Sequence, residues 1–267
     1  LVPFLSQSGL DVVSHGRAHG ADVHCDLTDA AAVTQLIDTV GPDWVVDLVS
    51  LTNVDHCERD PHLAYMVNVR TVENLVEAIA ARPGTRLLYI STDQVYDAPG
   101  DNIETELNLR NTYALTKLWA EGVAAEVDSI VLRTNFFGRS DIGGRTSFSD
   151  WVRTLMRDPP EDALLLTDVC FSPLSIETLS EVIARVVESD LEGVFNAGSR
   201  NGMSKRDFAH RVAEALGGTV DARDGLQSDL SLDAARPVGM MMDSRKLEAA
   251  LGMTLPTLAE EINSAEL

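Results

Sequence analysis

Lysine is almost missing from this chain of 267 residues. Of 21 basic side chains only Lys117, Lys205 and Lys246 are lysines, and they face 42 acidic residues, for a formal charge of −21. That balance disfavours nucleic acid and anionic membrane as partners. It suits a high-salt cytoplasm, where screening relieves self-repulsion, and it also fits an ordinary acidic protein; composition leaves both open. Cysteine is scarce as well. Cys25, Cys57 and Cys170 lie far apart without metal or redox spacing, which reads as free thiols in a reducing compartment. No apolar run reaches the ~20 residues that span a bilayer, and no basic-then-apolar segment marks a secretory signal. The expected location is the cytoplasm. No G-x-x-G-x-x-G stretch occurs anywhere. His56 and His62 flank acidic residues without a third ligand at fixed spacing, so no metal site is expected.

What is present is an alternation of strand and helix patterns, the signature of a parallel sheet covered on both faces. Asp11–Ser14 reads as a strand. Thr28 or Asp29 caps a helix carrying Val33, Leu36, Ile37 and Val40, which Gly41-Pro42 ends. Trp44–Val49 is the next strand, and a long helix follows Pro61 as far as Pro83-Gly84. Strand-like runs recur at Arg86–Thr92, Ile130–Asn135, Ala163–Thr167 and Gly193–Asn196. Helical stretches are expected over 146–156 and 176–187, and Ser204–Asp207 suggests a capping box for another. The expected fold class is α/β, a Rossmann-like doubly wound parallel sheet with a smaller mixed α/β substrate-binding part. The division is 1–138 plus about 170–197 for a nucleotide-binding domain, and 139–169 plus 198–267 for a substrate-binding domain.

Chemistry concentrates at Tyr113 and Lys117, four residues apart in Asn111-Thr112-Tyr113-Ala114-Leu115-Thr116-Lys117. One helical turn puts phenol and ammonium on one face. A cation beside a phenol favours the phenolate, so such a pair passes a proton near neutral pH. The strand upstream ends in the hydroxyls Ser91 and Thr92, suited to hold a substrate oxygen. Leu115, Leu118, Trp119, Gly122 and Val123 would then form the packed face of the helix, leaving Tyr113 and Lys117 toward a cleft.

Together these stretches resemble the extended short-chain dehydrogenase/reductases, most closely the dTDP-4-dehydrorhamnose reductases. The resemblance runs through Cys25–Asp29, Asp60-Pro61 to Val67-Asn68-Val69, Ile90–Tyr96, Tyr113–Lys117, Leu132–Thr134, Gly193–Gly198, and Ala235-Arg236-Pro237 leading to Asp243–Leu247. It implies an NAD(P)-dependent oxidoreductase that reduces a 4-keto-6-deoxy nucleotide sugar, as a possible homodimer. It implies Tyr113 as proton donor, Lys117 as the group that lowers its pKa and holds nicotinamide ribose, and Thr92 on the substrate oxygen, with Ser91 as second choice. Asp26 and Leu27 match the adenine-facing position. Ser50, Leu51 and Thr52 match the segment along the cofactor, and Asn68 a helix asparagine near the site. The segment after Asp11–Ser14 carries Arg17 and no carboxylate, which favours NADPH over NADH. Asp93, Asn135, Arg145 and Arg236 are the candidates for binding the nucleotide sugar, although scattered arginines also make surface ion pairs.

In this family a glycine fingerprint lies near the start of the chain, whereas Leu1–Leu5 resembles the end of the first helix. A strand and glycine loop are therefore expected upstream. The related dehydratases place a glutamate after Ser-Thr-Asp, where this chain has Gln94, an amide that cannot act as a base. An epimerase or dehydratase on the same scaffold stays open, as does a non-catalytic NADP-binding regulatory subunit similar to that of methionine adenosyltransferase.

Overall fold

The computed structural model describes residues 1–16, 20–139 and 147–267. Four parallel strands make its main sheet: β1 (Trp44–Asp47), β2 (Arg86–Thr92), β3 (Ser129–Thr134) and, after four short strands at Phe136–Phe137 (β4), Leu164–Leu166 (β5), Cys170–Phe171 (β6) and Leu174–Ser175 (β7), the strand β8 (Gly193–Ala197). Their order is β1-β2-β3-β8. Thus a late segment of the chain returns to extend the sheet begun by the early one.

Side-chain alternation along β2 sorts the core into two layers, as a sheet buried on both faces requires. Leu87 and Tyr89, with Val131, pack toward α2 (Ala30–Val40) and, beyond two short helices α3 (Val54–Arg59) and α4 (Pro61–Tyr65), toward α5 (Thr71–Ala80) and α6 (Thr112–Ala124). Leu88 and Ile90, with Ile130, Leu132 and Phe195, pack on the opposite face against Leu179, Val182, Ile183 and Val186 of the helix Ile176–Val187. A separate apolar cluster of Phe137, Val152, Phe171, Phe208 and Ile262 gathers the later part of the chain. No helix among the described residues is long and apolar enough to cross a membrane.

Two expectations fail here. Asp11–Ser14 does not join a sheet: Ser14 gives its amide and hydroxyl to Asp22 Oδ2 at 2.9 and 2.7 Å, and only an isolated bridge links His15 to Val23. The local carboxylate takes the bonds that a strand partner would take. The packed face of α6 is also the reverse of the one expected. Leu115 and Trp119 are each 52% exposed, whereas Tyr113, Ala114, Thr116, Lys117, Ala120, Glu121 and Ala124 are buried. Small alanines let α6 approach the sheet closely, and the polar groups on that face find partners beneath it. The long helix after Pro61 is interrupted by a π turn, Met66–Arg70, that contains Asn68; such turns frequently mark functional sites.

The polar partners beneath α6 form one network. Glu121 accepts from Ser91 Oγ at 2.5 Å and from Arg133 Nη2 at 2.6 Å, with both charged side chains at most 4% exposed. Arg133 Nη1 donates to Tyr96 Oη at 2.9 Å and to the Glu104 carbonyl at 2.6 Å. Tyr96 in turn donates to Asn196 Oδ1 at 2.6 Å. Replacing Arg133 by Met strands the Glu121 charge in the interior, so urea unfolding should show a loss of about 3–5 kcal/mol. Leu115→Ala, on the exposed face, should change stability by less than ~0.5 kcal/mol.

Candidate active site

Asn111 starts α6 by accepting the Ala114 amide at 2.9 Å, and its side-chain amide donates to the Ala235 carbonyl at 2.9 Å. One residue therefore caps the helix and ties it to the segment that carries Arg236. Tyr113 follows in the first turn, 7% exposed. Burial pushes its phenol up to about 12, and hydrogen bonds with the Thr92 and Ser50 side chains pull it back only in part. The structure thus brings Tyr113, Thr92 and Ser50 together. The phenol stands above its ordinary range rather than below it, contrary to the expectation, because desolvation, joined by the charges of Asp93 and Cys57, outweighs the bonds with Thr92 and Ser50. Such a phenol keeps its proton at neutral pH.

Lys117, one turn on, is 2% exposed. Its Nζ donates to the Ile90 carbonyl at 2.7 Å and lies 4.1 Å from the centre of the Tyr89 ring. Burial pushes its ammonium down to about 8, against the opposing pull of Asp47 and Glu121. Of the two strand-end hydroxyls, Ser91 is committed to Glu121, whereas Thr92 caps the following turn by accepting the Gln94 amide at 3.2 Å and meets Tyr113.

Asn68 stitches the segment after β1 to this centre. Its Oδ1 accepts the Leu51 amide at 2.7 Å and the Ser50 hydroxyl at 3.2 Å, and its Nδ2 donates to Thr116 Oγ1 at 3.0 Å. The π turn places one amide across both elements. Thr52 is exposed beside them. Asp26 holds the Thr28 amide and hydroxyl at 3.0 and 2.8 Å, and Leu27 is buried in the core layer under α2. Arg17 and Arg145 lie outside the described residues.

A second polar group sits beyond Thr92. Asn135 Nδ2 donates to Asp93 Oδ2 at 2.6 Å. Burial pushes the Asp93 carboxyl up to about 6, opposed by the Asn135 bond and by the charge of Lys205. Arg236 pairs with Asp55 at 2.9 Å, and its Nη1 is buried without a hydrogen-bond partner among the described residues. It also acts electrostatically on Lys205, whose own ammonium is pushed down mainly by burial. The sequence reading found Asp93, Asn135 and Arg236 but missed Lys205, Asp55, Asp47 and Glu121. Lys205 carried a signal: it is one of three lysines, next to a helix cap. Gln94 donates Nε2 to Met240 Sδ at 3.0 Å and leaves Oε1 buried without a partner.

A profile described as RmlD substrate binding domain matches residues 1–265. The chain is 26% identical to a probable low-salt glycan biosynthesis reductase of Haloferax volcanii, over 90% of this chain and 82% of that protein. It is 30% identical to the dTDP-4-dehydrorhamnose reductase of Mycolicibacterium smegmatis, over 86% and 71%. The crystal structure of the dTDP-4-dehydrorhamnose reductase from Bacillus anthracis in complex with NADP superimposes with a TM-score of 0.81 at 23% identity, covering 89% of this chain and 84% of that one. That last likeness gives the fold, a Rossmann-like α/β sheet. The chain belongs to the RmlD substrate binding domain family, among proteins of the extended short-chain dehydrogenase/reductase type.

Proposed function

We propose that this protein is an NAD(P)H-dependent reductase of a 4-keto-6-deoxy nucleotide sugar, similar in reaction to the dTDP-4-dehydrorhamnose reductases. The observation that carries the reading is the meeting of Tyr113 with Thr92 and Ser50, one helical turn from the buried Lys117. The described residues fit the nicotinamide ribose. After its bond to Ile90, Lys117 has donors to spare, and the buried Asp47 Oδ2 and Tyr89 Oη beneath it have no hydrogen-bond partner among the described residues. When bound, the cofactor supplies the hydride. Lys117 and the Ser50–Thr52 segment orient it, the latter held by Asn68, with Asp26 and Leu27 toward the adenine end. Thr92 orients the substrate oxygen, and Tyr113 delivers the proton to it; a phenol that is protonated at neutral pH starts in the right form. Asp93 and Asn135 suit sugar hydroxyls, and Arg236 suits the diphosphate, together with Arg145. This reading assigns 1–138 plus about 170–197 to the cofactor and 139–169 plus 198–267 to the sugar. A homodimer and a cytoplasmic location complete the proposal; the three cysteines are free thiols.

Tyr113→Phe should lower kcat by at least ~10²-fold, the scale of a lost general acid, with little change in unfolding midpoint. Near-normal NAD(P)H oxidation with a dTDP-4-keto-6-deoxy sugar would remove Tyr113 from the reaction. Because the Lys117 ammonium titrates at about 8, kcat/KM should fall as pH rises through that value, while the phenol, at about 12, stays protonated.

Arg17→Ala should weaken NADPH more than NADH, read as the ratio of the two KM values; a strict preference for NADH would make Arg17 a surface charge only.

With Gln94 in place of a carboxylate, dTDP-hexose plus NAD+ should give no loss of water, whereas a 4-keto-6-deoxy sugar plus NADPH should be reduced. The opposite pair of results would point to a dehydratase, and a protein that binds NADPH but turns over neither substrate would point to the regulatory alternative.

A further inference from the structure

Asp47 closes β1 and pairs in register with Tyr89 of β2. Paired residues of neighbouring parallel strands project to the same face, and the Tyr89 ring on that face carries the Lys117 ammonium 4.1 Å from its centre. Asp47 is 4% exposed. One carboxylate oxygen accepts the Val49 amide at 2.9 Å; the other, like the Tyr89 hydroxyl, is buried with no hydrogen-bond partner among the described residues. A buried carboxylate with a free oxygen is costly unless a charge answers it.

Burial pushes the Asp47 carboxyl up; the Val49 amide opposes this, and so do the charges of two groups, Lys117 from α6 and His15 from the N-terminal segment, whose Nε2 is 2.9 Å from the Cys25 carbonyl oxygen. Two carboxylates act on Lys117: Asp47 from β1 and Glu121, one turn further along α6. They differ in availability. Glu121 is occupied by the Ser91 hydroxyl and by Arg133 through Nε and Nη2. Its charge is answered by a guanidinium, so its pull on a second cation is largely spent. Asp47 has no such partner, and it is the larger of the two influences on Lys117.

We propose that Asp47 is a positioning residue of this site: its buried carboxylate is the counter-charge that keeps Lys117 an ammonium, and it thereby sets the pH range in which Lys117 can hold a ribose hydroxyl. Asp47 touches neither substrate nor the reacting atoms; it acts through Lys117. Its consequence for turnover rests on the reductase reading, but the electrostatic coupling itself does not.

The scarcity of lysine makes the coupling measurable. Isotope-labelled lysine gives three side-chain signals, assigned by the variants Lys205→Arg and Lys246→Arg, and each is titrated by NMR without substrate. In the unaltered chain the Lys117 midpoint is expected at about 8. Asp47→Asn keeps an oxygen for the Val49 amide and removes only the charge. It should lower the Lys117 midpoint by about one pH unit, a tenfold change in the ammonium-to-amine ratio, and leave Lys246 unmoved. Asp47→Glu should restore part of the shift. The alkaline limb of kcat/KM should move to lower pH by the same amount, so that the variant recovers activity on acidification. A purely structural role would lower the unfolding midpoint and leave both titrations in place. A Lys117 midpoint unchanged in folded Asp47→Asn overturns the proposal. Should that variant not fold, the unaltered chain carries the test through the carboxyl carbon signal of Asp47: an ionised carboxylate at neutral pH supports the proposal and a protonated one overturns it. If Tyr113→Phe retains turnover while the Lys117 shift is observed, the reductase assignment fails and the coupling stands.

Discussion

The buried Arg133–Glu121 pair is the interaction on which the rest of this structure depends. Both side chains are at most 4% exposed, and their surroundings would expel either charge alone. Mutual neutralisation, with Ser91 and Tyr96 satisfying the remaining valences, makes them tolerable and fixes geometry at the same time. Glu121 belongs to α6, Arg133 to β3, Ser91 to β2, and Asn196, reached through Tyr96, to β8. A single polar network thus clamps the helix bearing Tyr113 and Lys117 across three adjacent strands. Apolar packing of Ala120 and Ala124 brings α6 close; the ion pair decides where along the sheet it stops.

Burial has a second effect, on proton affinity. It lifts the phenol of Tyr113, depresses the ammonium of Lys117 and lifts the carboxyl of Asp93, each by desolvating the charged form. The results suit reduction of a carbonyl. The phenol retains a proton to give, and the lysine remains charged at neutral pH through the carboxylates facing it. Asp93 reaches about 6 by burial, even with the Asn135 bond and the charge of Lys205 opposing the rise.

Specialisation within the scaffold lies in single positions. On the proposed reading Gln94 stands where the resemblance to the dehydratases puts a glutamate; its amide reaches Met240 of the later part of the chain. The reductase reading and the dehydratase reading share Tyr113, Lys117 and Thr92, so they differ by one side chain that can or cannot accept a proton.

By itself the sequence determined the α/β alternation, the strands at Arg86–Thr92 and Gly193–Asn196 and the helix after Asn111 that carries Tyr113 and Lys117 one turn apart. These features follow from local periodicity, capping and turn residues, which act over a few positions. Tertiary structure decided what periodicity could not. Along α6, alanine and polar residues outrank Leu115 and Trp119 for the interior, because the sheet offers Glu121 and Lys117 specific partners and Asn68 of the π turn offers one to Thr116. It chose Thr92 over Ser91 by giving Ser91 to Glu121. It turned Asp11–Ser14 away from a sheet by offering Asp22 as a nearer bond acceptor. Asp47 and Lys205 reach the site only through contacts across about 70 and about 110 residues of chain, respectively, from Lys117 and Asp93. Electrostatic contacts at such separations exist only after the strands have paired; the scarcity of lysine singles out Lys205, but no local pattern joins it to Asp93 or Asp47 to Lys117.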